Sequence, residues 1–173
     1  MPVDIFTIAA VTDQLSEVLP GCRIDKVLAP SELSVGLKVW GRGYSGWLVA
    51  SADPRLPHVY VTETKVAKGM ETPTPFIMLL RKYCLGGRIE AVRQAHLERL
   101  LTFDIATHDF GTVSLIAELM GNRSNLILAD SEDTILGALK LIGPRQSRIR
   151  RILPHSSYRP PPEPERRDPA GHP

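Results

Sequence analysis

The sequence predicts an α+β fold: a mainly antiparallel β-sandwich or curled sheet with two covering helices. Three observations carry this. Apolar residues recur at helical spacing in two stretches, and nearly everywhere else the period is two. The strand-like runs follow one another too closely to be joined by crossover helices, which parallel pairing requires. The chain has 173 residues, 43% hydrophobic and 23% charged, enough for one globular domain that buries a core without staples.

The elements follow in order. Asp4 is placed to cap a helix over residues 5–19, where Ile8, Val11, Leu15 and Val18 form one apolar stripe. Pro20-Gly21 stops it. Residues 23–29 read as a strand. Leu33, Val35, Leu37 and Val39 alternate with polar or small residues, as a half-buried strand does. Residues 47–52 and 59–62 continue the pattern, and the glycine-rich segment 41–46 joins two of these strands. Residues 65–74 form a loop. Pro75 suits the first turn of a helix over 76–85, with Phe76, Leu79, Leu80 and Tyr83 as its packing face and Gly86-Gly87 as its stop. Strands then follow at 88–93, 99–105, 113–119, 126–129 and 135–141. Asp109-Phe110-Gly111 and Ser131-Glu132-Asp133 are turn-like separators between them. No internal repeat is visible.

Net charge is +2, but its layout matters more than its sum. Arg145, Arg148, Arg150, Arg151 and Arg159 fall in residues 144–162 without a single acid, so the remainder is net acidic. Of the 15 prolines, Pro160, Pro161, Pro162, Pro164, Pro169 and Pro173 crowd the end. The expected organisation is a folded domain over 1–159 and a proline-rich disordered tail, or the start of a linker, over 160–173. No apolar stretch approaches the ~18 residues of a membrane span. No basic segment followed by an apolar run marks a secretory signal, so the expected location is cytoplasmic. Cys22 and Cys84 read as two buried reduced thiols, with a disulfide as the alternative.

Several catalytic patterns fail. Residues 41–46 match G-x-G-x-x-G, but a dinucleotide fingerprint needs a helix directly after it, and here a strand follows. The segment reads as a hairpin turn. The five histidines show no metal-ligand spacing. His96-Leu97-Glu98 has the H-x-E of zinc deaminases, without the P-C-x-x-C that completes their site. No metal, cofactor or catalytic residue is expected. One enzymatic alternative rests on Pro2. After methionine removal its secondary amine, with Asp4 nearby, has the chemistry to form a Schiff base with a sugar aldehyde, as an N-terminal-proline DNA glycosylase/lyase does.

Four segments, in order, resemble one family. Thr72-Pro73-Thr74-Pro75-Phe76-Ile77-Met78-Leu79-Leu80-Arg81-Lys82 with Gly86-Gly87-Arg88-Ile89 resembles its F-x-M-L-L-R-K…G-G-x-I block. Leu97-Glu98-Arg99 stands where the family has Leu-Asp-Arg before a strand. Glu118-Leu119-Met120-Gly121-Asn122-Arg123-Ser124-Asn125-Leu126-Ile127-Leu128 resembles E-L-M-G-R-x-S-N-x-I-L. Arg151-Ile152-Leu153-Pro154, with Tyr158 and Pro160-Pro161-Pro162, resembles R-x-L-P-G-x-x-Y-x-P-P. Val3-Asp4-Ile5 and Ala50-Ser51-Ala52-Asp53-Pro54 are similar to Phe-Asp-Gly and Leu-Ser-Ala-His-Pro. The family is NFACT, and the match is to the N-terminal domain of the RqcH, NEMF and fibronectin-binding-protein-A-like proteins, over about residues 1–162.

The resemblance implies a fold similar to the N-terminal domain of formamidopyrimidine-DNA glycosylase. It implies a part in ribosome quality control: binding the large ribosomal subunit that carries peptidyl-tRNA, recruiting tRNA and, in full-length bacterial members, alanine tailing of stalled nascent chains. The family's aspartate falls on Asp4, and its Asp-Arg pair on Glu98 and Arg99. Ile5 replaces the family glycine, and Glu98 lengthens the aspartate by one methylene. The expected RNA-binding residues are Asp4, Glu98, Arg99, Arg81, Lys82, Arg123, Asn125, Arg148, Arg150 and Arg151. Each also has a plainer reading: Arg81 and Lys82 as a solvated helix face, Glu98-Arg99 as a salt-bridged turn, and residues 121–125 as a hairpin loop. The leading function is a non-enzymatic RNA-binding module with further domains in a longer chain. The alternatives are the Pro2 lyase and a fibronectin-binding or protein-interaction domain.

Overall fold

The computed structural model describes residues 5–95 and 99–162, with side chains from Thr12 onward. Helix α1 spans Ile5–Val18. Leu15 and Leu19 are fully buried, and the helix packs on strands of both halves of the sheet. Gly21, at φ +91°, then reverses the chain in a conformation that glycine adopts at little cost.

Nine strands follow in two runs. The first is β1 (Arg23–Leu28), β2 (Ser34–Gly41), β3 (Tyr44–Ser51) and β4 (His58–Thr62). The second is β5 (Arg88–Gln94), β6 (Leu100–Ala106), β7 (Thr112–Glu118), β8 (Asn125–Ala129) and β9 (Ile135–Ala138). All pairs are antiparallel, in the order β4-β3-β2-β1-β5-β6-β7-β8-β9. The sheet is thus one continuous antiparallel sheet, as the close strand spacing requires. The G-x-G-x-x-G segment forms the β2–β3 hairpin. Gly41 pairs with Tyr44, and the two loop residues, Arg42 and Gly43, have φ of 50° and 81°, the signature of a type I′ turn.

The two runs meet over a very short seam. β1 and β5 share one register pair, Arg23 with Arg88. Backbone bonds extend it: Ile24 N to Gly87 O at 2.9 Å, Gly86 N to Ile24 O at 2.8 Å, Ile89 N to Cys22 O at 2.9 Å and Gly21 N to Ile89 O at 2.7 Å. Gly87 allows the approach, because a Cβ there would lie 2.8 Å from Ile105 Cγ2 and 3.0 Å from Cys84 O. One hydrophobic core takes side chains from both runs and both helices, so the sheet curls around it.

Helix α2 (Pro75–Cys84) closes that core. Thr74 caps it, its hydroxyl accepting from Ile77 N at 3.3 Å, and Pro75 occupies the first turn, where its missing N–H costs nothing. Phe76, Ile77, Leu80 and Cys84 are buried. The packing face is therefore rotated from the expected Phe76, Leu79, Leu80 and Tyr83: Leu79 and Tyr83 lie at its margin, and Leu79 rests against Gly137 of β9.

The basic segment near the C-terminus is folded onto the sheet. Ile142 and Ile152 bridge antiparallel, with bonds of 3.0 and 2.8 Å, and close a loop over 143–151. Ile152, Ile142 and Tyr158 cover Ile116, Ile127, Ala129, Ile135 and Ala138 in a second core on the outer face of β7–β9. This accounts for the uninterrupted apolar run of β8, which is buried on both faces. Tyr158 N donates to Asp133 O at 2.6 Å, so the folded chain continues at least to that residue, while residues 163–173 lie outside the described residues.

A buried ion pair pins this strap. Glu118, at the end of β7, and Arg150 have side chains 1% and 13% exposed. Arg150 Nη1 donates to Glu118 Oε1 at 3.0 Å, and its Nη2 bonds Oε2. Tyr158 Oη donates to Oε2 at 2.7 Å, its ring centroid 5.4 Å from the guanidinium carbon. Arg150 Nε donates to Arg159 O at 2.7 Å. Burial pulls the Arg150 pKa down, but the bonds and charge of Glu118 outweigh it and hold the guanidinium above its ordinary value.

Glu118→Leu strands a buried guanidinium and is expected to cost about 3–5 kcal/mol in urea unfolding. A Glu118→Leu, Arg150→Leu chain is expected to recover much of that loss. Burial pushes the Cys84 thiol up to about 12, and that of Cys22 above its ordinary value. The folded chain then keeps the Cys84 proton where the unfolded chain releases it. Stability therefore falls as pH rises above the ordinary thiol range, and neither cysteine reacts with a thiol reagent at pH 8.5 before the chain unfolds, as measured by labelling across a urea series.

Candidate nucleic-acid interface

Arginines from three separate connections gather at one end of the second run. The β5–β6 connection ends at Arg99, half-buried, whose carbonyl accepts from Leu119 N at 2.9 Å. That bond ties it to the β7–β8 connection, a 3-10 turn over Gly121–Arg123. Ser124 is buried and shapes this turn, its Oγ accepting from Met120 N at 2.9 Å. Arg123 is left exposed at the tip. The third connection is the 143–151 loop, which presents Arg145, Arg148 and Arg151 to solvent.

Two clefts flank the loop. One, of about 290 Å³, is lined by Met120, Arg123, Ile149, Arg150, Pro161 and Pro162, among others. The other, of about 330 Å³, is lined by Arg148, Arg150, Arg151, Ser157 and Arg159, among others. Among the described residues, none of Arg123, Arg145, Arg148, Arg151 and Arg159 takes part in an ion pair. Five guanidinium groups with no counterion among the described residues and two concavities form a surface suited to phosphates. Ile149, 80% exposed, stands at the loop tip between the clefts.

The structure separates the expected binding residues. Arg99, Arg123, Arg148 and Arg151 come together at this end. Arg150 belongs to the same loop but turns inward: its Nη1 and Nη2 bond Glu118 and its Nε the Arg159 carbonyl, so it fixes the loop from the wall of both clefts. The expectation that Asn125 contacts RNA is corrected. It is 1% exposed, and its amide stands in for a strand backbone. Oδ1 accepts from Lys140 N and Leu126 N, both at 2.9 Å, and Nδ2 donates to Lys140 O at 2.8 Å. That clamp ends β9 at Ala138, short of the expected 141. Lys140 Nζ then reaches Ala52 O, beyond β3, at 3.0 Å. Burial lowers the Lys140 pKa, while Asp53 opposes the shift.

Arg81 is neither a solvated face residue nor a free cation. Its Nε and Nη2 donate to Val27 O at 3.2 and 2.9 Å, tying α2 to β1. Lys82 is exposed, its ammonium 5.2 Å from the Tyr83 ring centroid. Asp4, Pro2 and Glu98 lie outside the described residues. Sequence reasoning missed Glu118 and Tyr158 as the anchors of the arginine loop. Their signal was present: an acid within the apolar run of β7 needs a buried partner. Among the described residues, no cluster of His, Cys, Asp and Glu has the makings of a metal site, and no helix is long and apolar enough to cross a membrane.

Known proteins match the chain across nearly its whole length. The Rqc2 homolog RqcH of Streptococcus suis (strain 05ZYH33) is 37% identical over 168 residues, covering 94% of this chain and 30% of the relative. That of Bacillus subtilis (strain 168) is 35% identical over 157 residues, covering 88% and 27%. The chain therefore spans less than a third of the length of these curated relatives. The solved N-terminal part of the fibronectin/fibrinogen-binding protein from Streptococcus suis superposes with a TM-score of 0.85 at 35% identity, covering 96% of this chain and 64% of that one. The model of the family described as NFACT N-terminal and middle domains matches residues 4–172, and the chain belongs to that family.

Proposed function

We propose that this domain is a non-enzymatic RNA-binding module of a ribosome quality control factor. It engages tRNA and the large ribosomal subunit in the cytoplasm during rescue of stalled nascent chains, and alanine tailing belongs to the longer protein. The observation that carries this reading is the cluster of exposed arginines on the β7–β8 turn and the 143–151 loop, beside two clefts, with Arg99 at their edge. Its support is threefold: the charge suits phosphate, the loop is held rigid by a buried pair, and the relatives named RqcH share the family.

Arg123, Arg148 and Arg151 are assigned to phosphates. Arg99, with Glu98, is assigned to an exposed base, which a guanidinium stacks on and a carboxylate accepts from. Filter binding with tRNA at several salt concentrations tests both assignments. An Arg123→Ala, Arg148→Ala, Arg151→Ala chain is expected to weaken binding at least tenfold. The slope of log affinity against log salt should fall by about 2–3, from three lost phosphate contacts. Affinity that ignores salt in the unaltered chain rules the reading out. A Glu98→Ala, Arg99→Ala chain is expected to bind more weakly with an unchanged salt slope if it loses a base contact, and unchanged affinity removes both residues from the account.

A further inference from the structure

The outer face of the first run carries a second set of basic and aromatic residues, on other strands than the arginine cluster. Register places them. Lys26 of β1 lies opposite Lys38 of β2. Lys38 lies opposite Trp47 of β3, and Trp47 opposite Thr62 of β4. Side chains two residues apart on a strand share a face, so Trp40 of β2 and Tyr60 of β4 stand on this face too. Trp40, Trp47 and Tyr60 cross three neighbouring strands as a diagonal, with steps of about 7–8 Å between diagonal neighbours.

Two members of that diagonal are open. Trp40 is 50% exposed and Tyr60 41%, whereas Trp47 is 6% exposed. Tyr60 is oriented by the His58 ring, stacked at 5.4 Å between centroids. His58 is in turn held to Leu56 O at 2.7 Å. Trp47 lines a cleft of about 380 Å³ with Lys26, Lys38, Ser45, Glu63 and Lys65, among others. Three lysines against one carboxylate leave it positive, and among the described residues none of the three lysines is in an ion pair. Like charges directly opposed across a strand pair are unfavourable in themselves. A bound anion relieves the Lys26–Lys38 repulsion.

Exposed aromatic rings spaced along a positive sheet face are what unpaired nucleic acid requires: π-faces for bases and cations for the backbone between them. We propose that the outer face of β1–β4 binds a short unpaired stretch of RNA. Its bases stack on Trp40 and Tyr60, and its phosphates lie along Lys26, Lys38 and Lys65. The proposal uses none of the residues of the arginine end, and stands or falls separately from it.

Both tryptophans of the chain lie on this face, so tryptophan fluorescence, excited selectively at the red edge where tyrosine does not absorb, reports on it alone. Titration of the 173-residue chain with a 12-nucleotide oligouridine is expected to quench that fluorescence, and a blunt duplex of equal phosphate content is expected to quench it far less. Trp40→Ala and Tyr60→Ala should each weaken oligouridine binding about tenfold by anisotropy of a labelled strand, the loss of one stacked base. Lys26→Gln with Lys38→Gln should cut the salt slope by about 1.4. Urea melts check folding, and Trp40→Leu, which keeps apolar bulk without a π-face, should behave as Trp40→Ala does. The Arg123→Ala, Arg148→Ala, Arg151→Ala chain should keep the quenching. Unchanged affinity in the folded Trp40 and Tyr60 variants overturns the proposal. So does equal quenching by polyglutamate, which would make the face a surface for acidic proteins.

Discussion

The structure depends on the seam between β1 and β5. Each flanking run is a meander whose neighbours pair over several residues, and such pairings form locally. Within the sheet, the seam is what joins the runs, through one register pair and a few backbone bonds around Gly86, Gly87 and Ile89. Gly87 is indispensable there because no side chain fits between Ile105 and the end of α2. So short an overlap lets the two runs diverge from the seam, and divergence is what allows both to face one core. The two candidate surfaces then sit on separate runs, with the core between them and not in either.

A second constraint acts at the arginine end. A hydrophobic segment across β7–β9 would be enough to cover the outer face, and Ile142, Ile152 and Tyr158 do so. The Glu118–Arg150 pair adds position. Buried charges seldom add net stability over apolar residues, but removing one partner is costly. Arg150 can therefore occupy one place only, opposite Glu118 and under Arg159 O. Its neighbours in sequence, Arg148 and Arg151, inherit that orientation and face outward.

Much of the fold was legible in the sequence because local chemistry decided it. Thr74, Pro75 and Gly86 bound a helix by capping and backbone preference, and the structure places it over Pro75–Cys84. The glycine-rich hairpin followed from what came after it. The errors came from tertiary partners. Asn125 looks like a loop amide until Lys140, fifteen residues on, is seen to bond both its Oδ1 and its Nδ2. Arg150 looks like its neighbours until Glu118, thirty-two residues back, is found beneath it. Arg81 sits on a helix where solvent would suffice, but β1 offers a carbonyl within reach. The aromatic diagonal was not legible at all, because Trp40, Trp47 and Tyr60 share a face only through pairing register. The NFACT resemblance was legible because its blocks join turn and cap residues to the apolar runs of α2 and β8 in a fixed order.

The bridge between Ile142 and Ile152 has a consequence for recognition. It closes a loop whose ends would otherwise be free to separate, and both closing residues are packed. The conformational entropy of ordering that loop is spent when the chain folds, not when a ligand arrives. A phosphate that meets Arg148 and Arg151 pays only for the side chains it immobilises. Disordered basic tails bear the ordering cost at each encounter. A loop sealed by two isoleucines would meet a phosphate with its backbone already in place.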